Sequence, residues 1–337
     1  MNKMRLAAVI AAASLALTSC GANGSLKKVA MEIGGQKITA GDIATLNMIE
    51  SGGDNFDTGL SNVSKMIESY AKYNALGKAM KIELTDEDKA SGTEIRSQIA
   101  SSNGGYKKFK KYMEENSSSI EFLDMLGQTN AYYSYVNEKI DEKIGDKQAT
   151  DEELQKYYND NYMCVKHILI KADDANGVSM DDAKKKAEEV LAKLNEGGDF
   201  VALMKEYSED KDSDGNDNCG ETGYVFAEGD FGNPAFEDAA AALKPGEYTK
   251  ELVKVEGGSY SGYHIIMRLE LPAEMGDNKD AVTQGYEQKQ REDIFDALCE
   301  EYGIKIKINQ EVIDSIKASM LTELPKTEND DNAAKAY

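Results

Sequence analysis

Two histidines are the residues of this 337-residue chain whose type and placement point most directly to chemistry. His167 lies in the segment Val-Lys-His-Ile-Leu-Ile, and His264 lies in Ser-Gly-Tyr-His-Ile-Ile. An imidazole ring can donate and accept hydrogen bonds, which suits it to small polar networks. A lone histidine in a strand is more often a core residue than a functional one. In this chain, however, both histidines fall in strand-like segments of one predicted domain, so we take them as candidate site residues.

An acidic segment between the histidines fits a calcium-loop pattern, D-x-D-x-D-G-x5-E. Its four candidate ligands are Asp210, Asp212, Asp214 and Glu221. Two features argue against a calcium loop of the helix–loop–helix type. Asp217 stands where such a loop has an apolar residue, and glycine-rich strand sequence follows Glu221 instead of a helix. A solvated acidic loop is therefore the main interpretation, and weakly bound calcium is the alternative.

The segments around the histidines predict the elements that must position them. Strands are predicted at 165–170, near 223–226 and at 264–269. Ser179 is predicted to cap a helix that stops at Gly197-Gly198, and a second short helix is predicted at 200–207. A strand, two helices and further strands indicate a compact α+β domain of about 110 residues.

At this point the sequence resembles the parvulin family of peptidyl-prolyl cis-trans isomerases. The resemblance covers about residues 162 to 270 and rests on short blocks in the order of the family. These blocks are Lys-His-Ile-Leu at 166–169, Gly-Asp-Phe at 198–200, Tyr-Ser-Glu-Asp at 207–210, Gly-Glu-Thr-Gly at 220–223, Phe-Glu-Asp-Ala-Ala at 236–240, Leu-Lys-Pro-Gly-Glu at 243–247 and Gly-Tyr-His-Ile-Ile at 262–266. The resemblance implies a small antiparallel sheet with surrounding helices.

The resemblance also implies roles for individual residues. His167 and His264 match the paired histidines of the family, which orient the polar network, and Asp210 matches a position held by Cys or Asp beside the rotating amide. Ser259 and Ser261 match the hydroxyl positions before the second histidine. In the substrate pocket, the resemblance assigns the proline-binding positions to Thr222, Phe231 and Phe236.

Three departures from the family pattern concern the substrate. Phe231 stands where the pocket usually has methionine, and Thr222 stands where it usually has leucine. These changes put the pocket shape and the turnover in question, but not the fold. Lys171 is followed by Ala-Asp-Asp-Ala-Asn instead of the basic cluster of phosphate-directed parvulins, so we expect no requirement for a phosphorylated substrate.

The first twenty residues predict export. Lys3 and Arg5 precede an apolar stretch, Leu6 to Leu17, which is typical of a signal peptide and too short for a membrane helix. The ending Leu-Thr-Ser-Cys resembles a bacterial lipobox, which implies lipidation of Cys20 as the mature N-terminus. An ordinary signal peptide that happens to contain Cys is the alternative.

Helical periodicity predicts mainly helical segments on both sides of the parvulin-like domain. Capping boxes are expected to start helices after Thr39, Thr85 and Thr150, and residues 54–61 are expected to be a loop. Alternating residues at 29–33 and at 304–308 predict two strands that pair across the inserted domain. This arrangement, together with the lipobox, resembles PrsA-type foldase lipoproteins and SurA-like chaperones.

The predicted organisation therefore has six parts. They are a signal peptide at 1–19, a tether at 20–28, a helical chaperone region at 29–160, the parvulin domain at 161–271, a helix and strand at 272–325 that pack on the N-terminal region, and a disordered tail at 326–337.

Composition and cysteine content limit the partners. The formal charge of −22 disfavours nucleic acid and anionic lipid as partners. Besides Cys20 there are Cys164, Cys219 and Cys299, with no Cys-x-x-Cys, so neither a zinc site nor a redox motif is predicted. Three free thiols are expected, and one disulfide is the alternative.

Together these features predict a lipid-anchored, extracytoplasmic prolyl isomerase and chaperone. Its partners would be unfolded exported proteins with X–Pro bonds, and the membrane through its anchor. Rotation about an X–Pro bond breaks no bond, so no cofactor is expected. The alternative function is a holdase with a weakly active or inactive parvulin domain. A solute-binding lipoprotein would need a two-lobed α/β pattern, which the sequence lacks.

Overall fold

The computed structural model describes residues 23–51, 56–146, 148–173, 177–256 and 260–325. The signal peptide, Cys20, Ser259 and the predicted tail at 326–337 lie outside the described residues. The chain divides into two compact units, one formed by Met1–Asp146 with Arg291–Tyr337 and one formed by Lys147–Gln290.

Helices make up most of the regular structure in the described residues. In chain order they are α1 (Asn23–Leu26), α2 (Ala40–Ser51), α3 (Phe56–Ala79), α4 (Asp86–Ser102), α5 (Tyr106–Glu115), α6 (Ile120–Ile144), α7 (Asp151–Asn161), α8 (Met180–Asn195), α9 (Phe200–Tyr207), α10 (Pro234–Ala241), α11 (Lys279–Glu301) and α12 (Gln310–Asp314). The strands are β1 (Val29–Ile33), β2 (Gln36–Thr39), β3 (Tyr162–Ala172), β4 (Tyr224–Ala227), β5 (Val253–Val255), β6 (Ser261–Leu269) and β7 (Ile306–Ile308). Among the residues that the structure describes, none of the helices combines the length and apolar character that crossing a membrane requires.

The first unit contains an antiparallel sheet of three strands in the order β2-β1-β7. Met31 pairs with Ile308 and Ile33 pairs with Ile306, so the predicted pairing of the two distant segments is present. The core combines β1 with α2, α3, α5, α6 and α12, and Met31 and Ile33 are almost completely buried in it. This core explains why the first and last segments of the chain belong to one unit.

Two expectations for this unit need correction. The predicted tether extends too far, because α1 lies within it and Leu26 is fully buried in the core. The predicted loop at 54–61 is also wrong from Phe56 onward, since α3 begins there and the buried Phe56 ring packs in the same core. In both cases one apolar side chain among polar neighbours holds the segment against the core. A single apolar residue produces no helical periodicity, so the sequence pattern did not predict helix in these two segments.

The second unit is built on an antiparallel sheet in the order β4-β3-β6-β5. Helices α8 and α9 cover one face of the sheet, where the buried residues include Ile168, Tyr263 and Ile265. Aromatic side chains and α10 cover the other face, where Val165 and Ile266 are buried. A small antiparallel sheet between helices is the predicted α+β fold class, which is confirmed. The unit Lys147–Gln290 is wider at both ends than the predicted domain at 161–271.

The cysteines of the described residues are not cross-linked. Cys164, Cys219 and Cys299 are free and buried, as the sequence favoured. Burial raises the pKa of the Cys299 thiol to about 11, which leaves it protonated at neutral pH.

Candidate active site

The two histidines meet because β3 and β6 are neighbours in the sheet. His167 pairs with Ile266 in the strand register, and Leu169 pairs with His264. The histidines are therefore diagonal neighbours on adjacent strands, on the face opposite α8 and α9. Diagonal neighbours are close enough for long or ring-bearing side chains to touch.

Their rings form one buried pair. The Nδ1 atoms of His167 and His264 are 2.7 Å apart, and the rings stack with centroids 4.9 Å apart and an interplanar angle of 13°. His167 is 2% exposed and His264 is 0% exposed. A buried pair of imidazoles at this distance must share one proton in a hydrogen bond.

Asp210 is brought to this pair by the backbone of β3. The Ser208 hydroxyl accepts a hydrogen bond from the Leu169 amide (3.2 Å), and the Glu209 amide donates to the Leu169 carbonyl (2.8 Å). The Glu209 carboxylate also accepts from the Lys171 amide at 2.7 Å. The Ser-Glu-Asp block is thus held along the strand that carries His167, which places the Asp210 carboxylate 2.7 Å from His167 Nε2.

The Asp210 carboxylate is held in its ionised form. Burial by itself would raise its pKa, but hydrogen bonds from His167, Asn218 and Tyr224 outweigh that effect and hold the pKa well below its ordinary value. Asn218 Nδ2 donates to Oδ1 at 2.8 Å, and the Tyr224 hydroxyl donates to Oδ2 at 2.7 Å. Burial and this contact raise the pKa of Tyr224, so the phenol stays a donor.

An ionised Asp210 sets the order of the protons in the network. The carboxylate can only accept, so His167 donates through Nε2. When His167 carries only this proton, its Nδ1 is the acceptor and His264 donates to it through its own Nδ1. The remaining nitrogen of His264, Nε2, accepts from the Tyr260 hydroxyl at 3.1 Å. Burial, reinforced by the neighbouring His167, lowers the pKa of His264 to about 3, which keeps this ring neutral.

Sequence reasoning did not identify Tyr260, Tyr224 or Asn218 as members of this network. Tyr260 immediately precedes the Ser-Gly-Tyr-His block, and Tyr224 follows Gly223 at the start of β4. Their positions next to recognised blocks were the available signal. Nothing in the local sequence distinguishes Tyr260 and Tyr224 from the other tyrosines of this chain, which has 18 in all.

Aromatic side chains close the site beside the histidines. The rings of Phe231 and Phe236 stack with centroids 4.0 Å apart and an interplanar angle of 7°. The Phe236 ring meets His167 edge to face, with 5.3 Å between centroids at 87°, and meets His264 with 5.1 Å between centroids at 78°. Phe236 is completely buried and Phe231 is half-buried. A polar network thus lies directly against an apolar surface.

Two residues predicted for the site, Thr222 and Ser261, do not lie with the histidines and Asp210. Thr222 is exposed in the turn before β4, where its carbonyl oxygen accepts from the Cys164 thiol at 3.2 Å. Ser261 begins β6 opposite Ala172. Because side chains alternate along a strand, it lies on the face of Tyr263 rather than that of His264. Ser259, the other predicted hydroxyl, lies outside the described residues.

The four predicted calcium ligands do not converge. Both oxygens of Asp210 face His167, Tyr224 and Asn218. Asp212 accepts from the Asp214 and Asn216 amides of its own turn, which lowers its pKa. Within the described ranges there is no group of three or more His, Cys, Asp or Glu side chains that could hold a metal ion.

Comparison with known proteins defines the class of this unit. Residues 167–270 match the family model described as Rotamase, the PPIC-type PPIase domain. The second unit is therefore a parvulin-type peptidyl-prolyl cis-trans isomerase domain, and the predicted resemblance is confirmed.

Two similar proteins are named as foldases. The chain is 39% identical over 139 residues to foldase protein PrsA of Caldanaerobacter subterraneus, covering 40% of this chain and 39% of that protein. It is 27% identical over 247 residues to foldase protein PrsA of Clostridium botulinum, covering 69% and 67%. The crystal structure of PrsA from Bacillus subtilis aligns with a TM-score of 0.26 at 23% identity, covering 87% of this chain and 94% of that one. The match thus spans well under half the length of the first of these relatives.

Proposed function

We propose that this protein is an extracytoplasmic foldase that catalyses cis-trans rotation of X–Pro bonds in exported proteins during folding. The observation that carries this proposal is the buried His167–His264 pair, tied to Asp210 and packed against Phe231 and Phe236. Support also comes from the foldase relatives, whose names refer to protein folding.

The site suits a rotation that breaks no covalent bond. Amide resonance gives the X–Pro bond a barrier of about 18–20 kcal/mol and makes the planar forms more polar than the twisted one. An apolar surface that removes water from the amide therefore disfavours the planar forms relative to the twisted form. The polar network at Asp210 and the histidines would face the carbonyl as it turns. This chemistry calls for no cofactor, and we propose none.

Anchoring and partners form the second part of the proposal. Cys20 would carry lipid and hold the chain at the extracytoplasmic face of a cell membrane, where it would meet unfolded exported chains. The formal charge of −22 would favour cationic client segments and disfavour nucleic acid. The first unit would supply the chaperone surface.

A holdase is the second candidate function, and one observation favours it. The Phe236 ring, the expected wall of the proline pocket, is 0% exposed, so the pocket is closed in this structure. A protein that binds unfolded chains without isomerising them would tolerate a closed pocket.

A protease-coupled assay on an X–Pro tetrapeptide separates the two functions. We expect activity in the full chain, with kcat/KM lowered about tenfold or more by His167→Ala, since breaking such a network generally costs about 1.4 kcal/mol or more. Ser179→Ala is the matched control, because it removes only the cap of α8. An inactive wild-type chain that still suppresses aggregation of an unfolded client would establish the holdase.

A further inference from the structure

The surface expected to receive the proline ring is occupied by the protein itself. One face of Phe236 is covered by the parallel ring of Phe231 at 4.0 Å. Its edges meet His167, His264 and Phe226 at centroid distances of 5.3, 5.1 and 6.2 Å. With Phe236 at 0% exposure, a substrate ring cannot contact it unless one of these neighbours moves.

Of these neighbours, Phe231 is the one built to move. His167, His264 and Phe226 lie in strands of the sheet and are buried. Phe231, by contrast, is half-buried and lies in the connection between β4 and α10. Glycines flank it on both sides. Gly229 (φ 92°) and Gly232 (φ 72°) adopt backbone conformations that favour glycine, which bends the chain on either side of Asp230 and Phe231.

A buried carboxylate holds these two glycines in place. Glu237 is 5% exposed, and its Oε2 accepts from the Gly229 amide at 2.5 Å while its Oε1 accepts from the Gly232 amide at 2.9 Å. Both ends of the segment are thus fixed to α10, the helix that carries Phe236. Asp230 and Phe231 lie between these fixed points, and Phe231 is the one whose ring covers Phe236.

We propose that Phe231 is a gate that covers the proline-binding face of Phe236 in the free protein and swings away when a substrate binds. This inference rests on the proposed isomerase function. The flat, rigid ring of Phe suits this covering role, whereas the flexible methionine usual at the matching position covers a ring less completely. The gate reduces the apparent affinity for any substrate by the fraction of molecules that are open.

Kinetics of the full chain test the gate. Phe231→Ala should raise kcat/KM for an X–Pro tetrapeptide about two- to tenfold, the range produced by losing one stacked aromatic pair. The gain should appear mainly as a lower KM. Phe231→Met, which keeps most of the bulk, should lie between Ala and the wild type. Glu228→Ala is the matched control, because this exposed neighbour in the same connection should leave kcat/KM unchanged. A fall in kcat/KM for Phe231→Ala, or no change, overturns the gate.

Peptide binding separates failure of the gate from failure of the proposed function. The ring ¹⁵N signals of the two histidines report binding of an X–Pro tetrapeptide without any turnover. Tighter binding to Phe231→Ala than to the wild type, with no activity in either, keeps the gate and refutes the isomerase. Equal binding to both proteins refutes the gate, whatever their activity.

Discussion

Asp210 determines more about this site than its single contact with His167 suggests. Because the carboxylate accepts hydrogen bonds from three side chains, it stays ionised and places a proton of His167 on Nε2. When each ring carries one proton, the two histidines are different tautomers, with the proton of His167 on Nε2 and that of His264 on Nδ1. In that state the hydrogen bonds of the network all run in one direction, so the network presents a fixed pattern of donors and acceptors to a carbonyl group.

This order can be measured by ¹⁵N NMR, since the chain has only two histidines and therefore four ring nitrogens. We expect opposite tautomers for His167 and His264 at pH 7. His264 should also remain neutral at pH 5, because its pKa is lowered to about 3, whereas an ordinary histidine would be charged. Asp210→Asn should abolish the single order. Protonation of His264 at Nε2 in the wild type would contradict the prediction.

The lowered pKa of His264 also has a consequence for stability. In the folded state this ring binds its second proton only near pH 3, whereas in the unfolded state it does so near 6.5. The unfolded state therefore binds more protons between these two pH values. The contribution of His264 to the free energy of unfolding is thus complete above pH 6.5 and is lost as the pH falls toward 3.

At the scale of elements, the connection between β4 and α10 depends on one side chain. Glu237 satisfies two backbone amides from inside the fold, in bonds assisted by its charge. Its removal deletes both bonds, and a hydrogen bond to a charged group contributes about 1.5–3 kcal/mol. Because Gly229 and Gly232 are exposed, water replaces part of this loss.

We therefore expect Glu237→Ala to lower the free energy of unfolding of the unit Lys147–Gln290 by about 2–4 kcal/mol. Glu237→Gln keeps one acceptor oxygen and should cost less. Urea unfolding followed by circular dichroism gives both values. Glu228→Ala, on the exposed side of the same connection, should change stability by less than about 0.5 kcal/mol. Equal effects of Glu237→Ala and Glu228→Ala would show that the Glu237 carboxylate does not hold the connection.

Elements with local signals could be predicted from the sequence. The capping boxes at Thr85 and Thr150 start α4 and α7 as predicted, because their reciprocal hydrogen bonds involve residues three apart. Ser179 caps α8 as predicted, and its cap is also a capping box. The strands of His167 and His264 were predicted from their β-branched residues. β5 was not, since three residues are too few for a pattern. Tyr260 and Glu237 were missed as functional residues because their partners are set by the tertiary fold.

At the scale of the whole molecule, the proposed anchor depends on one residue, Cys20. We expect Cys20→Ala to move the protein from the membrane fraction to the soluble fraction of a bacterial expression host, without loss of isomerase activity. A single acyl chain binds membranes only marginally, so stable retention of the wild type would require at least two chains. Fractionation followed by immunoblotting measures the distribution. Cys299→Ala, at a buried thiol, is the control for loss of a cysteine. Retention of Cys20→Ala in the membrane would refute the anchor.

The pairing of β1 with β7 determines which of the two units can finish folding first during synthesis. Glu32 of β1 pairs with Lys307 of β7. Strand β1 therefore cannot pair with β7 until some 270 further residues have been synthesised. The unit Lys147–Gln290 has all its strands in one continuous stretch and needs no strand from either end of the chain. On a growing polypeptide, the catalytic unit can therefore be complete while its neighbour still lacks an edge. The β1 edge exposed in this interval carries the charged Glu32, which discourages pairing with a wrong strand.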